Sequence, residues 1–207
     1  MIVLVAGTDT DVGKTFVGAA LVGALRASGV AVAARKPVQS FAPGDEQTDA
    51  DVLAAASGED PDTVCPRHRW IPAAMAPPIA AARLGLAPFT TKDLVKELDA
   101  PQTGITVVES VGGVRSPISI DGDTTDLADA IRPAMVVLVA GAGLGTINAA
   151  RLSADVLAPH RVVVFLNRFD PNAEVHVANA EWLRSREGFV TLTDLDALVA
   201  LVSDRIR

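Results

Sequence analysis

Residues 2–16 read IVLVAGTDTDVGKTF. The opening IVLVA is an uninterrupted apolar run, as expected of a strand buried on both faces, and Gly7 ends it. From Lys14 the apolar residues of KTFVGAALVGALRASG recur at helical spacing until Gly29 stops them. The intervening loop closes with Gly13-Lys14-Thr15, the end of the phosphate-loop pattern G-x-x-x-x-G-K-[ST]. Counting back from Gly13 puts Thr8 at the first position of that pattern, with Gly7 one residue early. The strand–loop–helix context still suits a polyanion, because backbone N–H groups and the helix dipole converge on the loop. Lys14 is expected to reach the terminal phosphates and the Thr15 hydroxyl to ligate magnesium. Asp9 and Asp11 need not oppose a phosphate if their side chains point outward.

Beyond this unit, strand-like runs alternate with helix-capable ones. VAVAARK (30–36), ITVVES (105–110), AMVVLVA (134–140) and RVVVFLN (161–167) read as strands. TTDLADAI, GTINAARLSADVL and AEVHVANAEWLRSR follow the last three as helices. Alternation of this kind predicts an α/β fold: a mostly parallel sheet with helices on both faces, in one domain spanning 1–207. Residues 37–48 and 58–78, rich in Pro, Gly, Asp and Thr, are expected to be loops of the functional or lid-like kind. Ligands of such sheets bind beyond the carboxyl ends of the strands.

Composition narrows the function. A hydrophobic fraction of 49% points to a packed globule, and a formal charge of −7 argues against nucleic acid or an anionic membrane as partner. No apolar run approaches the roughly 18 residues of a membrane helix, and MIVLVA is short for a signal peptide. With a single cysteine, Cys65, no internal disulfide forms, and a reducing cytoplasm is the expected setting. His68, His160 and His176 lack metal-ligand spacing and read as structural.

Three further strand ends carry chemistry-bearing residues. RKPVQS retains Lys36 directly after Arg35 in a chain with only four lysines, and an ammonium is a compact charge that guanidinium does not replace at a phosphate or carbamate. TVVESVGG places Glu109 opposite the phosphate loop, where a magnesium ligand or water-positioning acid belongs. TDADVL adds Asp49 and Asp51, of which one is explained by a helix N-cap. AGLGTINAA opens a helix whose first-turn N–H groups, around Thr146 and Asn148, suit a carboxylate or phosphate.

GTDTDVGKTF, KPVQS, TDADVL, APPIAA, VVESVGG, AGLGTIN and FLN occur in the order and spacing of dethiobiotin synthetases, and the resemblance covers roughly residues 2 to 168. It implies a P-loop NTPase architecture and closure of the ureido ring of biotin. In that reaction carbon dioxide and 7,8-diaminononanoate are joined at the expense of ATP or another nucleoside triphosphate, with Mg²⁺. By matching motif, Asp11, Val12, Gly13, Lys14, Thr15 and Phe16 would hold the triphosphate, together with Asp49, Glu109, Ser110, Val111 and Gly112. Thr15, Asp49 and Glu109 would ligate magnesium, and Lys36, with Lys14, would be the catalytic lysine. Asn167, with Arg168 beside it, would face the base. Thr10 and Ser40 would contact the diamine, and Gly145, Thr146, Ile147 and Asn148 its carboxylate from the neighbouring subunit of a homodimer.

The chain departs from the family where E-G-A-G-G becomes ESVGG, which is expected to crowd the phosphates, and where Arg168 replaces an acidic residue. The tail REGFVTLTDLDALVALV lacks the I-P segment found around the adenine, leaving a pyrimidine triphosphate or loose base selectivity open. Competing readings are an amidoligase of the cobyrinate diamide synthase kind, a ParA/MinD-type nucleotide switch and a paralogue with altered substrate. The amidoligase needs a glutaminase cysteine motif, and the switch needs a lysine early in the loop, where this chain has GTDTD.

Overall fold

A computed structural model describes residues 1–101 and 103–205. In chain order the elements are β1 (Ile2–Gly7), α1 (Lys14–Ala27), β2 (Val32–Arg35), β3 (Gln39–Ser40), α2 (Asp49–Ser57), α3 (Pro61–Val64), β4 (Trp70–Ile71) and α4 (Pro77–Arg83). They continue with α5 (Thr91–Glu97), β5 (Ile105–Glu109), α6 (Thr124–Ile131), β6 (Met135–Gly141), α7 (Thr146–Val156), β7 (Val162–Asn167), α8 (Glu174–Ser185), β8 (Val190–Leu192) and α9 (Leu195–Ser203). Six strands form one sheet in the order β2-β5-β1-β6-β7-β8. Every pairing in it is parallel.

Strand periodicity sorts the core into two layers. Val3 and Val5 of β1, Val107 of β5 and Val137 and Val139 of β6 face Val17, Leu21 and Leu25 of α1, Leu53 of α2 and Leu198 of α9. Leu4, Ala6, Val108, Val136 and Leu138 point the other way, onto Leu94 of α5, Leu127 of α6, Ala150 of α7 and Leu183 of α8. Full burial of such a side chain contributes about 1.5–3 kcal/mol, so the doubly covered sheet is the main source of stability. Chain order reverses at β1, which lies between β5 and β6. The loops leaving these three strands therefore diverge around one crevice, and that crevice is the site.

Two segments differ from the sequence reading. The expected loop 37–48 contains β3, and 58–78 contains α3, a 3₁₀ turn at Arg67–Arg69, β4 and the start of α4. Here β3 and β4 form a separate parallel pair, Gln39 opposite Trp70 and Ser40 opposite Ile71. Strands of two residues show no periodicity, so only tertiary contact defines them. The tail forms β8 and α9, which complete the sheet edge and cover α1.

Candidate active site

The phosphate loop is shaped by two glycines. A Cβ on Gly7 would come 2.8 Å from Cδ of Lys14 and 3.0 Å from the Asp9 carbonyl oxygen, so the early glycine makes room for the lysine stem folding back over the strand. Gly13 caps α1 at φ 95°, in the left-handed region, and no side chain caps the helix. Its first-turn N–H groups are thus left to a ligand. Lys14 Nζ donates 2.8 Å to the Asp9 carbonyl, spanning the mouth of the loop. The outward reading of the acids holds in part: Asp9 and Asp11 are both exposed, but Asp11 lines the cavity while Asp9 Oδ1 accepts from Thr10 N–H at 2.7 Å.

At the base of the crevice the ends of β2 and β5 bring Lys36 and Glu109 together. Lys36 is 1% exposed and Glu109 fully buried. The Lys36 ammonium donates 2.6 Å to Glu109 Oε1 and 3.1 Å to the Ser110 carbonyl, and it lies 2.8 Å from Asp49 Oδ2. All three of its protons have an acceptor. Thr15 Oγ1 lies 2.9 Å from both Asp49 Oδ1 and Glu109 Oε1, although its single proton serves only one of them at a time.

Asp49 reaches this point because α2 is held at its N-terminus. Thr48 is the N-cap and forms a reciprocal capping box with Asp51. Asp51 is therefore the capping partner rather than the cap, and Asp49, next along, is free to face the lysine. Gln39 fixes the same end of the helix: its Nε2 donates 3.2 Å to Thr48 Oγ1 and its Oε1 accepts 3.0 Å from Ala50 N–H. Sequence reasoning missed Gln39; its place two residues after Pro37, in a short strand, carries no pattern.

The electrostatics follow from burial and charge. Burial alone would depress Lys36, but the carboxylates of Glu109 and Asp49 outweigh it and hold the ammonium above its ordinary range. Burial raises Asp49 most, but Lys36, Thr15 and Lys14 together outweigh it and hold the carboxyl below its usual value, so it stays ionised. Glu109 is raised by burial, with Asp49 adding to the effect and Lys36 only partly offsetting it. Burial and then Lys36 push Lys14 below its usual value.

Two carboxylates and a hydroxyl form a hard-oxygen set suited to Mg²⁺, which keeps several waters and takes phosphate oxygens for the rest. The donor balance fits such an ion: Glu109 Oε2 is buried without a hydrogen-bond partner, and one hydroxyl proton lies between two carboxylates. Three or more carboxylate, His or Cys side chains do not gather into a metal cluster among the described residues, so water and phosphate would complete the shell.

A cavity of about 760 Å³ opens above these groups. Thr10, Asp11, Gly13, Lys14, Thr15, Lys36, Ser40, Asp49, Glu109, Val111, Gly112 and Arg168 all line it. Phe41, Ala42, Met75, Ala76 and Pro77 form an apolar wall that sequence reasoning did not identify. It is built by the β3–β4 pair and the chain leading into α4, tied by Ser40 Oγ donating 2.6 Å to the Met75 carbonyl. Ser110, expected to crowd the phosphates, is buried with its hydroxyl unpartnered and does not line the cavity, and its carbonyl accepts from Lys36. Val12 rests against the α1 side of the core, Phe16 is 69% exposed, and Asn167 Nδ2 donates 2.9 Å to the Val12 carbonyl. Gly145, Thr146, Ile147 and Asn148 lie at the start of α7, away from the lining of this cavity.

A family model described as an AAA domain matches residues 2–192. The ATP-dependent dethiobiotin synthetase BioD of Xanthomonas campestris pv. campestris (strain 8004) is 39% identical over 191 residues, covering 88% of this chain and 84% of that protein. The protein of the same name from Ralstonia nicotianae is 40% identical over 163 residues, 74% of this chain and 69% of its own. Among solved structures, a DUF1611 family protein from Anabaena variabilis superposes with a TM-score of 0.54 at 19% identity, over 98% of this chain and 56% of that one, a likeness of fold alone. On its residues and its relatives, the chain belongs to the ATP-dependent dethiobiotin synthetase family.

Proposed function

We propose that the chain forms dethiobiotin by ATP-dependent carbon–nitrogen ligation, closing a ureido ring on 7,8-diaminononanoate with carbon dioxide. The observation that carries the reading is the convergence of Lys36, Glu109, Asp49 and Thr15 beside the phosphate loop, at the floor of a cavity with one apolar wall. The triphosphate lies on the free N–H groups of Gly13 and the first turn of α1, and Lys14 exchanges the Asp9 carbonyl for a terminal phosphate oxygen. Thr15, Asp49 and Glu109 would hold Mg²⁺, which when bound neutralises charge developing on the phosphates.

One amine of the diamine adds to carbon dioxide and loses a proton, giving a carbamate. A carbamate oxygen then attacks the γ-phosphorus and ADP leaves. The second amine attacks the carbonyl carbon of the mixed anhydride, loses its proton and expels phosphate as the ring closes. Both acyl-activating partners are anions, so positioning and neutralisation are the chief catalytic tasks. Lys36, buried and permanently charged, is suited to stand between carbamate and γ-phosphate. Loss of one such preorganised donor costs roughly 3 kcal/mol in the transition state, so Lys36→Ala should lower kcat by about two orders of magnitude or more. The alkyl chain of the diamine has the Met75–Pro77 wall to lie against.

The same reading makes the enzyme a cytoplasmic homodimer. No helix among the described residues is long and apolar enough to cross a membrane. The turn before α7, remote from its own cavity, carries Gly145 at φ 87° and Leu144 at 92% exposure, with Leu152 of the same helix 61% exposed. Those features support a role in a partner's site, holding the substrate carboxylate. Arg168, at φ 57° on the cavity rim, and the divergent tail leave ATP and other triphosphates to be compared directly.

Incubation with diaminononanoate, bicarbonate, Mg²⁺ and each triphosphate in turn, with dethiobiotin measured by mass spectrometry, tests the reading. Product with at least one triphosphate is expected. No product with any of them would leave only a paralogue of changed substrate.

A further inference from the structure

Lys36 occupies the space between the two carboxylates that are also the magnesium ligands. Its ammonium lies 2.6 Å from Glu109 Oε1 and 2.8 Å from Asp49 Oδ2, and Thr15 Oγ1 lies 2.9 Å from that same Glu109 oxygen. A divalent ion drawn in by Thr15, Asp49 and Glu109 together would meet an ammonium already neutralising part of the charge that attracts it. Lys36 and Glu109 are both buried, so repulsion between the ammonium and an ion held at Glu109 is weakly screened.

We propose that Lys36 is the counter-ion of the magnesium ligands and that metal binding displaces it. The lysine and Mg²⁺ compete for Glu109 and Asp49. The ion, arriving with the triphosphate, releases the ammonium toward the cavity, where the carbamate is to be held. Metal loading and delivery of the catalytic cation are then one event, and without nucleotide the protein binds Mg²⁺ poorly. The proposal rests on Thr15, Asp49 and Glu109 being the metal ligands.

The geometry supports exchange rather than simultaneous binding. Glu109 Oε1, the carboxylate oxygen that meets Thr15, already receives Lys36 as well, so an ion taking that oxygen beside Thr15 takes the place of the ammonium. Ser110 O, the third acceptor of Lys36, is 3.1 Å away and belongs to the loop facing the cavity, so the lysine has a foothold when the carboxylates turn to the metal.

The experiment is calorimetric titration of nucleotide-free protein with MgCl₂. Lys36→Met, which keeps the stem and removes the charge, should bind Mg²⁺ roughly tenfold or more tighter than wild type, while Lys36→Arg should not. Equal affinities in wild type and Lys36→Met would overturn the proposal. Should Lys36→Met fold poorly with two uncompensated carboxylates, wild-type crystals soaked in MnCl₂ with ADP provide the second measurement. The anomalous ion is expected at Glu109 and Asp49 with Lys36 Nζ withdrawn from both, and an ion bound there with Lys36 still paired to both would overturn it. Failure of the ligand assignment itself looks different: Asp49→Asn and Glu109→Gln would then leave the Mg²⁺ dependence of ADP binding unchanged.

Discussion

The side-chain amide of Asn167, at the end of β7, donates 2.9 Å to the carbonyl of Val12, in the phosphate loop 155 positions earlier in the chain. The contact clamps the loop to the end of a strand two places away in the sheet and places the amide directly over Gly13, whose absent Cβ would overlap Nδ2. Gly13 also sits at φ 95°, which strains any L side chain. Gly13→Ala should therefore abolish detectable triphosphate binding in a fluorescent-nucleotide titration while far-UV circular dichroism stays unchanged. Near-native affinity would mean that the loop yields at this point.

Asn167 was expected at the base, and its Nδ2 donates to the loop. Asn167→Asp keeps the shape but sets a carboxylate against the Val12 carbonyl, losing a hydrogen bond of about 1 kcal/mol and adding repulsion. Affinities for ATP, GTP and CTP should all fall by a similar factor, roughly fivefold or more. A selective change for one base would assign the residue to base reading.

Asp11 offers a carboxylate on the cavity rim at φ 58°, a conformation that Asp and Asn tolerate better than most residues. The diamine is cationic before carboxylation, so Asp11→Asn should raise its KM about twofold to tenfold at low salt, with the difference shrinking at high salt as screening grows. A salt-independent KM equal to wild type would remove Asp11 from diamine capture. Asp9, bonded to its own loop, should show no such effect.

Beneath the site, Arg35 Nη1 donates 2.7 Å to Glu59 Oε1, and Glu59 Oε2 accepts 2.8 Å from Ala34 N–H. Burial pushes Glu59 up, but the Ala34 amide and Arg35 outweigh it and hold the carboxyl below its ordinary value of 4.5. The stability it contributes is therefore present above about pH 4.5 and is lost as pH falls through the lower folded value. Urea melts should show Glu59→Gln destabilised by on the order of 2 kcal/mol at pH 7, a deficit that narrows below that window. A deficit that does not vary with pH would mean that packing, not the charge, is the source. Comparing variant with wild type cancels Glu109, which is shifted in the opposite direction.

How far the site was legible in the sequence depended on the range of the forces involved. Val3, Leu4 and Val5 announce β1 because burial on both faces leaves a continuous apolar run, and Gly13-Lys14-Thr15 is local chemistry. Lys36 and Glu109 could each be placed at a strand end, but their pairing depends on β5 lying between β1 and β2, a choice of sheet order that no local pattern records. Thr48 carried a capping signature that nearby Asp49 and Asp51 obscured, and resolving it is what frees Asp49 for the lysine. The wall at Met75 was invisible because β3 and β4 are each two residues long and exist only as a pair. Gly145 to Asn148 were recognised by motif, yet they are not among the residues lining the cavity, because motif order does not record where a helix start comes to lie.

The most direct test of phosphoryl transfer to a carbamate follows oxygen rather than rate. Bicarbonate uniformly labelled with oxygen-18 is supplied with the diamine and triphosphate, and the inorganic phosphate released at early times is analysed by mass spectrometry. Attack by a carbamate oxygen predicts one labelled oxygen in the phosphate for each dethiobiotin formed. Dethiobiotin accompanied by unlabelled phosphate would contradict it, because the γ-phosphoryl group would then have gone to water and not to the group that Lys36 is placed to hold.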